Sequence, residues 1–379
     1  MKIDRVGYYK KSKPMSLMRI KSWNYFLIFS ALAVVLPAPE NISMHLPYFL
    51  LCGLGLIPLA HEAAKLVDEL ISKVGDRIGS LLNITLGNIL ELIIAITALN
   101  SGLYNLVVIG IAGSVITNTL LILGISTVIA GRKQLNIELQ AHSRALSTNQ
   151  LLISVTLLSI PSVFFWNALR PLSEGSEKMD NFSIYSIIVA VLILGSYLMS
   201  YVLQLGTHRS FFIKPKQKDS DQALVNSTGF AKIIFMLVVI TIAMALVSNH
   251  LVDALEYLVE GSHLTPLLVG MFILPIFSAI PEAIVSIRAA TNGRMDIAMT
   301  STVESSVQLL QFVLPCLVLI GIPLQNYLHL TFPPEALASL FGAALVVQWL
   351  TEANSLNWYK GILLLITYST LITGAVLLK

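Results

Sequence analysis

Residues 81–100 read LLNITLGNILELIIAITALN, an apolar run with one glutamate, Glu91, near its middle. No Lys or Arg lies close to Glu91 in the sequence to neutralise its charge. Because a carboxylate is costly in hydrocarbon, an acid at mid-span normally faces the protein interior and indicates a functional site. At helical spacing Asn83, Gly87 and Glu91 fall on one face, with Asn88 beside them. The helix therefore carries a narrow polar seam.

The next run, GIAGSVITNTLLILG at 110–124, has a matching polar face. Its polar and small members are Gly110, Ser114, Thr117 and Asn118. Oxygen donors of this kind suit a hard cation such as Ca²⁺. The two runs together therefore predict a cation site inside a bundle of helices.

The second half of the chain repeats this pattern. An offset of 191 residues places Glu91 on Glu282 and Ser114 on Ser305. The same offset places Thr117 on Gln308. Repeated helices that are interrupted and carry a charge are the sequence sign of a transporter's midplane binding site. We expect the interruptions near Gly87 and near Pro281.

The composition predicts an all-α, polytopic membrane protein. Hydrophobic residues make up 55% of the chain and charged residues only 12%, and the mean hydropathy is +0.78. An ordinary soluble protein has about 25% charged residues. Several runs reach the roughly 20 apolar residues that a spanning helix needs. Eleven spans are predicted near 23–38, 46–62, 80–100, 105–130, 149–167, 182–205, 229–248, 264–290, 297–322, 335–351 and 360–378.

The distribution of basic residues predicts the orientation of these spans. The tail at 1–22 is basic and is expected to be cytoplasmic, and the inner loops that follow from it carry most of the remaining Lys and Arg. The outer loops then hold only Arg170 and Lys178, with Lys379 at the end of the chain. The net charge of +3 reflects this bias rather than a surface for nucleic acid.

The span count predicts two inverted repeats of five helices and one extra helix. The first repeat covers 46–205 and enters the membrane from outside, and the second covers 229–379 and enters from inside. The extra first span lies at 23–45, and the polar stretch at 206–228 is expected to be a solvated cytoplasmic linker. A regulatory role for this linker stays open.

These motifs resemble the calcium/proton exchanger family of the cation/calcium antiporter superfamily. The family signature GNxxELIIA is present at 87–95, and GSVITNTLLILG at 113–124 follows it as in the first repeat of the family. In the second half, ILPIFSAIPEA at 273–283 and MDIAMTSTVESSVQLLQFVLP at 295–315 resemble the later spans. The resemblance covers roughly residues 46–379 and implies the exchanger fold.

The second repeat departs from the family pattern. Where the family usually has Gly-Asn-x-x-Glu-His, residues 278–283 read SAIPEA, so the Asn and the His are missing. The Pro-Glu pair is closer to the sodium/calcium exchanger branch. Glu304 stands where the family has Gly, and it shares a helix face with Ser301, Ser305 and Gln308. We expect Glu304 to point towards the cavity of Glu282 and to alter ion choice or proton coupling, or else to be held structurally by a hydrogen bond.

The predicted function is Ca²⁺/H⁺ exchange by alternating access, with the cation and protons competing for Glu91 and Glu282. These two glutamates are the expected metal ligands. Ser114 and Ser305 are expected either to complete the oxygen shell or to bond only their own i−4 carbonyls. Asn118 and Gln308 are candidate ligands or interhelical contacts. The full set of predicted cation- and proton-binding residues is Glu91, Glu282, Asn88, Ser114, Asn118, Ser305, Gln308 and Glu304.

Other functions stay open to different degrees. Exchange of Na⁺, K⁺ or another divalent cation for protons would use the same fold, and a cation channel is the alternative of a different class. The sequence contains no HExxH, GxSxG or P-loop motif, so neither an enzyme nor a cofactor is expected. The expected partners are the transported cation, protons and the lipid bilayer. The expected location is a bacterial plasma membrane, and the oligomeric state is open.

Overall fold

The computed structural model describes residues 23–37, 39, 44–74, 79, 82–83, 85–166, 177–207, 227–261 and 265–377. Helices dominate these ranges. They are α1 (Trp23–Val35), α2 (His45–Val74), α3 (Ile89–Asn100), α4 (Tyr104–Gly131), α5 (Ala141–Phe164), α6 (Glu177–Val202), α7 (Ser227–Gly261), α8 (Pro266–Ser278), α9 (Ile280–Thr291), α10 (Met295–Gly321), α11 (Pro334–Thr351) and α12 (Trp358–Leu377). Two short strands, β1 (Ile137–Glu138) and β2 (Ser355–Leu356), pair antiparallel.

Each predicted span overlaps one helix, except that the eighth overlaps the pair α8–α9. Within the described ranges eight helices are long and apolar enough to cross a membrane, and α8–α9, bent by 59°, makes up to nine. The two shorter ones are α1 with 13 residues and α3 with 12. The expected all-α, polytopic fold is confirmed.

The span boundaries predicted from hydropathy differ from the ends of the helices. The span predicted at 46–62 belongs to α2, which continues to Val74. Lys65 and Lys73, which follow the predicted end of this span, therefore lie on the helix and not in a loop. They pair with Glu62 at 2.6 Å and Glu69 at 3.4 Å. The reason is that hydrocarbon thickness limits the apolar run and not the helix, which polar i,i+3 and i,i+4 pairs extend into water.

The two halves match at the predicted offset of 191 residues. Helix α3 begins at Ile89 and α9 at Ile280, and α4 begins at Tyr104 and α10 at Met295. Both turns between these helices contain a glycine with positive φ, +76° at Gly102 and +73° at Gly293. Only glycine adopts this backbone conformation without strain, so the same turn residue is needed twice.

The matching helices run in opposite directions. The start of α4 is held by a 3.2 Å hydrogen bond from the Tyr104 hydroxyl to the Asn326 side chain, at one end of the molecule. The other end of α4 is about 42 Å away, since it has 28 residues. There the Lys133 side chain donates a 2.6 Å hydrogen bond to the carbonyl of Thr291, just before α10 begins. The starts of α4 and α10 therefore lie at opposite ends, as inverted repeats require.

The loops separate into two groups at these two ends. At the predicted inner end, β1 pairs with β2, and the Gln140 N–H donates to the Asp296 carboxylate at 3.0 Å. At the predicted outer end, the Trp166 indole donates to the Phe332 carbonyl at 2.9 Å. This grouping agrees with the alternation of loops predicted from the basic residues. Which end faces the cytoplasm stays a prediction.

A labelling experiment tests the orientation. Cysteine is introduced at Lys216, which lies outside the described residues, after Cys52 and Cys316 have been replaced by alanine. We expect this cysteine to react with a membrane-impermeant thiol reagent only from the cytoplasmic side, because the 206–228 stretch is predicted to be inside. Leu324→Cys, at an exposed position of the opposite end, is the matched control and should react only from outside. Reaction at position 216 from outside alone would contradict both the orientation and the span count.

The interior of the bundle is built from the two matched long helices. Along their apolar windows α4 is 89% buried and α10 is 72% buried, whereas α12 is only 17% buried. Lipid-facing helices keep one side exposed in the isolated chain, so α4 and α10 are the central helices. They carry Ser114 and Ser305, which places the predicted polar faces in the interior.

Candidate cation site

The first helix break lies at Gly87 and Asn88, directly before α3. Asn88 has φ −113° and ψ 39°, outside the helical region. The Gly87 N–H donates to the Asn83 carbonyl at 2.8 Å, and a Cβ on Gly87 would lie 2.4 Å from that oxygen. The close approach excludes any larger residue at this turn.

The second break lies at Ala279, two residues before Pro281. Ala279 has φ −85° and ψ 8° and separates α8 from α9. Pro281 is the second residue of α9, where its missing N–H and its restricted φ are tolerated. The carbonyl of Phe277 consequently has no helical i+4 donor. The break coincides with the one at Asn88 when the 191-residue offset is applied.

Glu91 and Glu282 occupy equivalent positions after these breaks. Each is the third residue of its helix, and they are only 6% and 8% exposed. Among the residues that the structure describes, neither forms a salt bridge, and Glu91 Oε1 and Glu282 Oε2 lack a hydrogen-bond partner. The first turn of a helix favours negative charge, so the starts of α3 and α9 both stabilise an ionised carboxylate.

A buried hydrogen-bond network joins the two repeats beside this pair. The Asn88 amide donates to Gln308 Oε1 at 2.7 Å, and the Ser305 hydroxyl donates to Asn88 Oδ1 at 2.7 Å. All three side chains are less than 9% exposed. Asn88 therefore connects the break of the first repeat to α10 of the second. The oxygen of Ser305 keeps lone pairs that a cation could use.

The polar face of α4 contributes two further side chains. The Ser114 hydroxyl lies 3.4 Å from the hydroxyl of Ser278, the residue before the break at Ala279. Asn118 is fully buried, and in the described part of the chain neither its oxygen nor its nitrogen has a partner. A buried amide without partners is costly, so this side chain is free to take a ligand.

The sequence did not single out Ser278 as a site residue. Its only signal is the 191-residue offset, which places it on Gly87 and therefore beside the equivalent break. Neutral oxygens around two carboxylates form the kind of donor set that Ca²⁺ accepts. No cluster of three or more His, Cys, Asp and Glu side chains with metal-binding geometry occurs in the described ranges.

Glu304 contacts α6. It is half-buried, and its carboxylate accepts a hydrogen bond from the Tyr201 hydroxyl at 3.5 Å. The Tyr197 hydroxyl donates to that of Tyr201 at 3.2 Å. Glu304 is thus connected to the two tyrosine hydroxyls of α6. Sequence reasoning missed these tyrosines, whose only signal is an i,i+4 pair of polar rings in an apolar span.

A family model shows what kind of protein has this geometry. The model described as "Sodium/calcium exchanger protein" matches residues 44–206 and 232–377. This chain belongs to the sodium/calcium exchanger protein family. The two matched segments correspond closely to the two predicted repeats, and the resemblance noted in the sequence is confirmed.

Similar proteins support this membership. A Ca²⁺/H⁺ antiporter from Synechocystis is 31% identical over 342 residues, which is 85% of this chain and 88% of that protein. The Ca²⁺/H⁺ antiporter ChaA from Bacillus subtilis is 29% identical and covers 93% of this chain and 99% of its own length. The fold also resembles the crystal structure of the Ca²⁺/H⁺ antiporter protein YfkE, with a TM-score of 0.69, 26% identity, and coverage of 93% of this chain and 99% of that one.

Proposed function

We propose that this member of the family is a secondary active Ca²⁺/H⁺ antiporter. The observation that carries the proposal is the pair Glu91–Glu282, two buried carboxyl groups at equivalent positions of the two repeats that form no salt bridge in the described part of the chain. The names of the similar proteins from Synechocystis and Bacillus subtilis support Ca²⁺ and protons as the exchanged ions. Its proposed location is a bacterial plasma membrane.

The pair explains coupling in physical terms. Two neighbouring carboxylates in a low-dielectric interior repel each other unless a cation or protons neutralise them. A divalent cation compensates both charges at once, and so do two protons. Since both kinds of ion need the same oxygens, binding of one displaces the other, and alternating access then moves them in opposite directions.

The remaining oxygens complete the proposed shell. Ca²⁺ takes about six to eight oxygen ligands in flexible geometry. Asn118, Ser114 and Ser305 provide neutral oxygen ligands, while the Asn88–Gln308 bond holds the first break against α10. The smaller Mg²⁺ demands a more rigid octahedral shell and loses water reluctantly, so we expect it to be a poor substrate.

Purified protein in liposomes that contain a pH-sensitive dye tests this function. We expect a Ca²⁺ pulse to release protons from the opposite compartment, with the membrane potential clamped at zero by an ionophore. Mg²⁺, Mn²⁺, Na⁺ and K⁺ are tested in the same way. A proton response to Na⁺ or K⁺ but not to Ca²⁺ would show that the site exchanges these monovalent cations for protons instead. Cation flux that moves no protons, and that follows the potential when the ionophore sets it to values other than zero, would instead assign a channel.

The additional acid is proposed to tune the exchange. Glu304→Gln keeps the shape and the acceptor for Tyr201 but removes the charge, so we expect a shifted pH optimum or an altered Ca²⁺/Mn²⁺ preference. The same dye assay, repeated across pH and cations, measures both properties. Tyr201→Phe keeps the carboxylate and removes the hydroxyl, which separates the charge from its hydrogen bond. An unchanged pH profile and preference in Glu304→Gln would leave Glu304 with a structural role only.

A further inference from the structure

A cavity of about 30 Å³ adjoins Glu91. One face of α3, from Glu91 to Ala98, and one face of α4, from Leu106 to Ser114, form two of its walls, and Leu274 and Ser278 of α8 form the third. A volume of this size holds a water molecule but not a hydrated cation. The buried carboxylate with an unpartnered oxygen faces this space.

The cavity extends from the cation site towards the predicted outer end. Glu91 and Ala98 are seven residues apart on one helix, which corresponds to about 10 Å along its axis. Ala98 and Leu106 flank the turn between α3 and α4. That turn lies at the end of the molecule where Tyr104 bonds to Asn326. The groove between α3, α4 and α8 therefore points from Glu91 to this end.

The walls of this groove are apolar beyond the site itself. Its polar lining groups are the Glu91 carboxylate and the hydroxyls of Ser114 and Ser278, and these hydroxyls lie 3.4 Å from each other. The remaining lining side chains are aliphatic, apart from Gly110. Hydrophobic constrictions of membrane proteins gate ion passage because water leaves them.

Three of the equivalent positions in the second repeat carry hydroxyl groups instead, while the others stay aliphatic. The 191-residue offset places Gly110 on Ser301 and Ile111 on Thr302. Ala95 likewise corresponds to Ser286. By the inverted repeat, the faces of α9 and α10 with these residues extend from Glu282 towards the predicted inner end. In the structure Ser286 lies 2.7 Å from Ser126, and Thr302 and Ser301 donate to the carbonyl of Ala298 at 2.8 Å and 3.2 Å. The two faces thus differ in composition although their helices match.

We infer that the groove between α3, α4 and α8 is the outer access route to the cation site and that its aliphatic walls form a gate. Opening this route requires water to enter an apolar groove. This inference rests on the proposed exchange function.

Cysteine accessibility tests the route. Ala98→Cys is made in a protein with Cys52→Ala and Cys316→Ala, and a positively charged, membrane-impermeant thiol reagent is added to right-side-out and inverted vesicles. We expect reaction from the outer side and at least a tenfold loss of exchange relative to the same variant before labelling. Leu324→Cys, exposed at the same end, should react without loss of exchange.

A second substitution tests the gate. Ile111→Thr gives the groove the hydroxyl that the second repeat has, and it should raise the rate of Ala98→Cys modification about tenfold because water enters more readily. Thr302→Ile, the reciprocal change, should leave that rate unchanged. The modification rate is measured by mass spectrometry, so it does not depend on transport activity.

The outcomes separate this inference from the proposed function. Reaction of Ala98→Cys from the inner side only, reaction without loss of exchange, or no reaction while Leu324→Cys reacts normally would each overturn the outer route. An unchanged modification rate with Ile111→Thr would overturn the gate. Labelling of Ala98→Cys from the outer side, together with no Ca²⁺-driven proton flux in the parent protein, would instead reject the exchange function and leave the groove as described.

Discussion

Glu91→Gln and Glu282→Gln are each expected to abolish Ca²⁺-driven proton flux while the protein still folds. Glutamine has the shape of glutamate but carries no charge and exchanges no proton at the side-chain oxygen. Each variant therefore loses half of the negative charge that faces the divalent cation. We expect a loss of at least ~100-fold, which corresponds to about 2.8 kcal/mol.

The dye assay in liposomes measures this loss, and size-exclusion chromatography of the detergent-solubilised protein checks the fold. Glu335→Gln is the matched control, because Glu335 is an exposed acid at the start of α11. It should exchange at the rate of the parent protein. Proton-coupled Ca²⁺ flux at near-parent rates in either Glu91→Gln or Glu282→Gln would remove the central claim of the proposed mechanism.

Gly113→Ala is expected to disrupt the crossing of α4 and α8. A Cβ at this position would lie 2.3 Å from the carbonyl oxygen of Met271 and 2.6 Å from its Cα. These are backbone atoms, so no side chain can rotate to make room, and the helices must separate beside Ser114 and Ser278. Overpacking of this kind typically costs about 1–3 kcal/mol. Because the helices also position the site, we expect loss of both stability and exchange.

Thermal unfolding followed by fluorescence-detected chromatography measures the effect on stability. Gly195→Ala on α6 is the matched control, since its Cβ would have no heavy atom within 4 Å. Alanine is favoured over glycine in a helix by up to ~1 kcal/mol, so this control should be at least as stable as the parent. Parent-like thermal stability and exchange in Gly113→Ala would show that the two helices are not as close as described.

Much of the fold could be predicted from the sequence because its causes are local. Hydropathy over about 20 residues identifies a spanning helix, and the cost of a charge in hydrocarbon singles out Glu91 and Glu282. The repeat is visible as a spacing, and the structure reproduces it in the starts of α3 and α9. These properties depend on the residue itself and its neighbours along the chain.

The exact turn geometry was less predictable. Pro281 suggested the place of the second break, but the backbone leaves the helix at Ala279. Proline is compatible with the first turn of a helix, so it begins α9 instead of interrupting it. The break then falls where the matching repeat has Asn88. The position of a break depends on both flanking helices and how they pack, which a single proline does not encode.

By itself, the sequence determined the helical membrane fold, the inverted repeat and the two central acids. The tertiary structure alone decided which side chains meet: Asn88 with Gln308, Ser114 with Ser278, and Glu304 with Tyr201. Asn88 and Gln308 are 220 residues apart. Such contacts follow from the crossing of helices in different repeats. A shift of a few ångströms in that packing would pair other groups, since hydrogen bonds form only within about 3.5 Å.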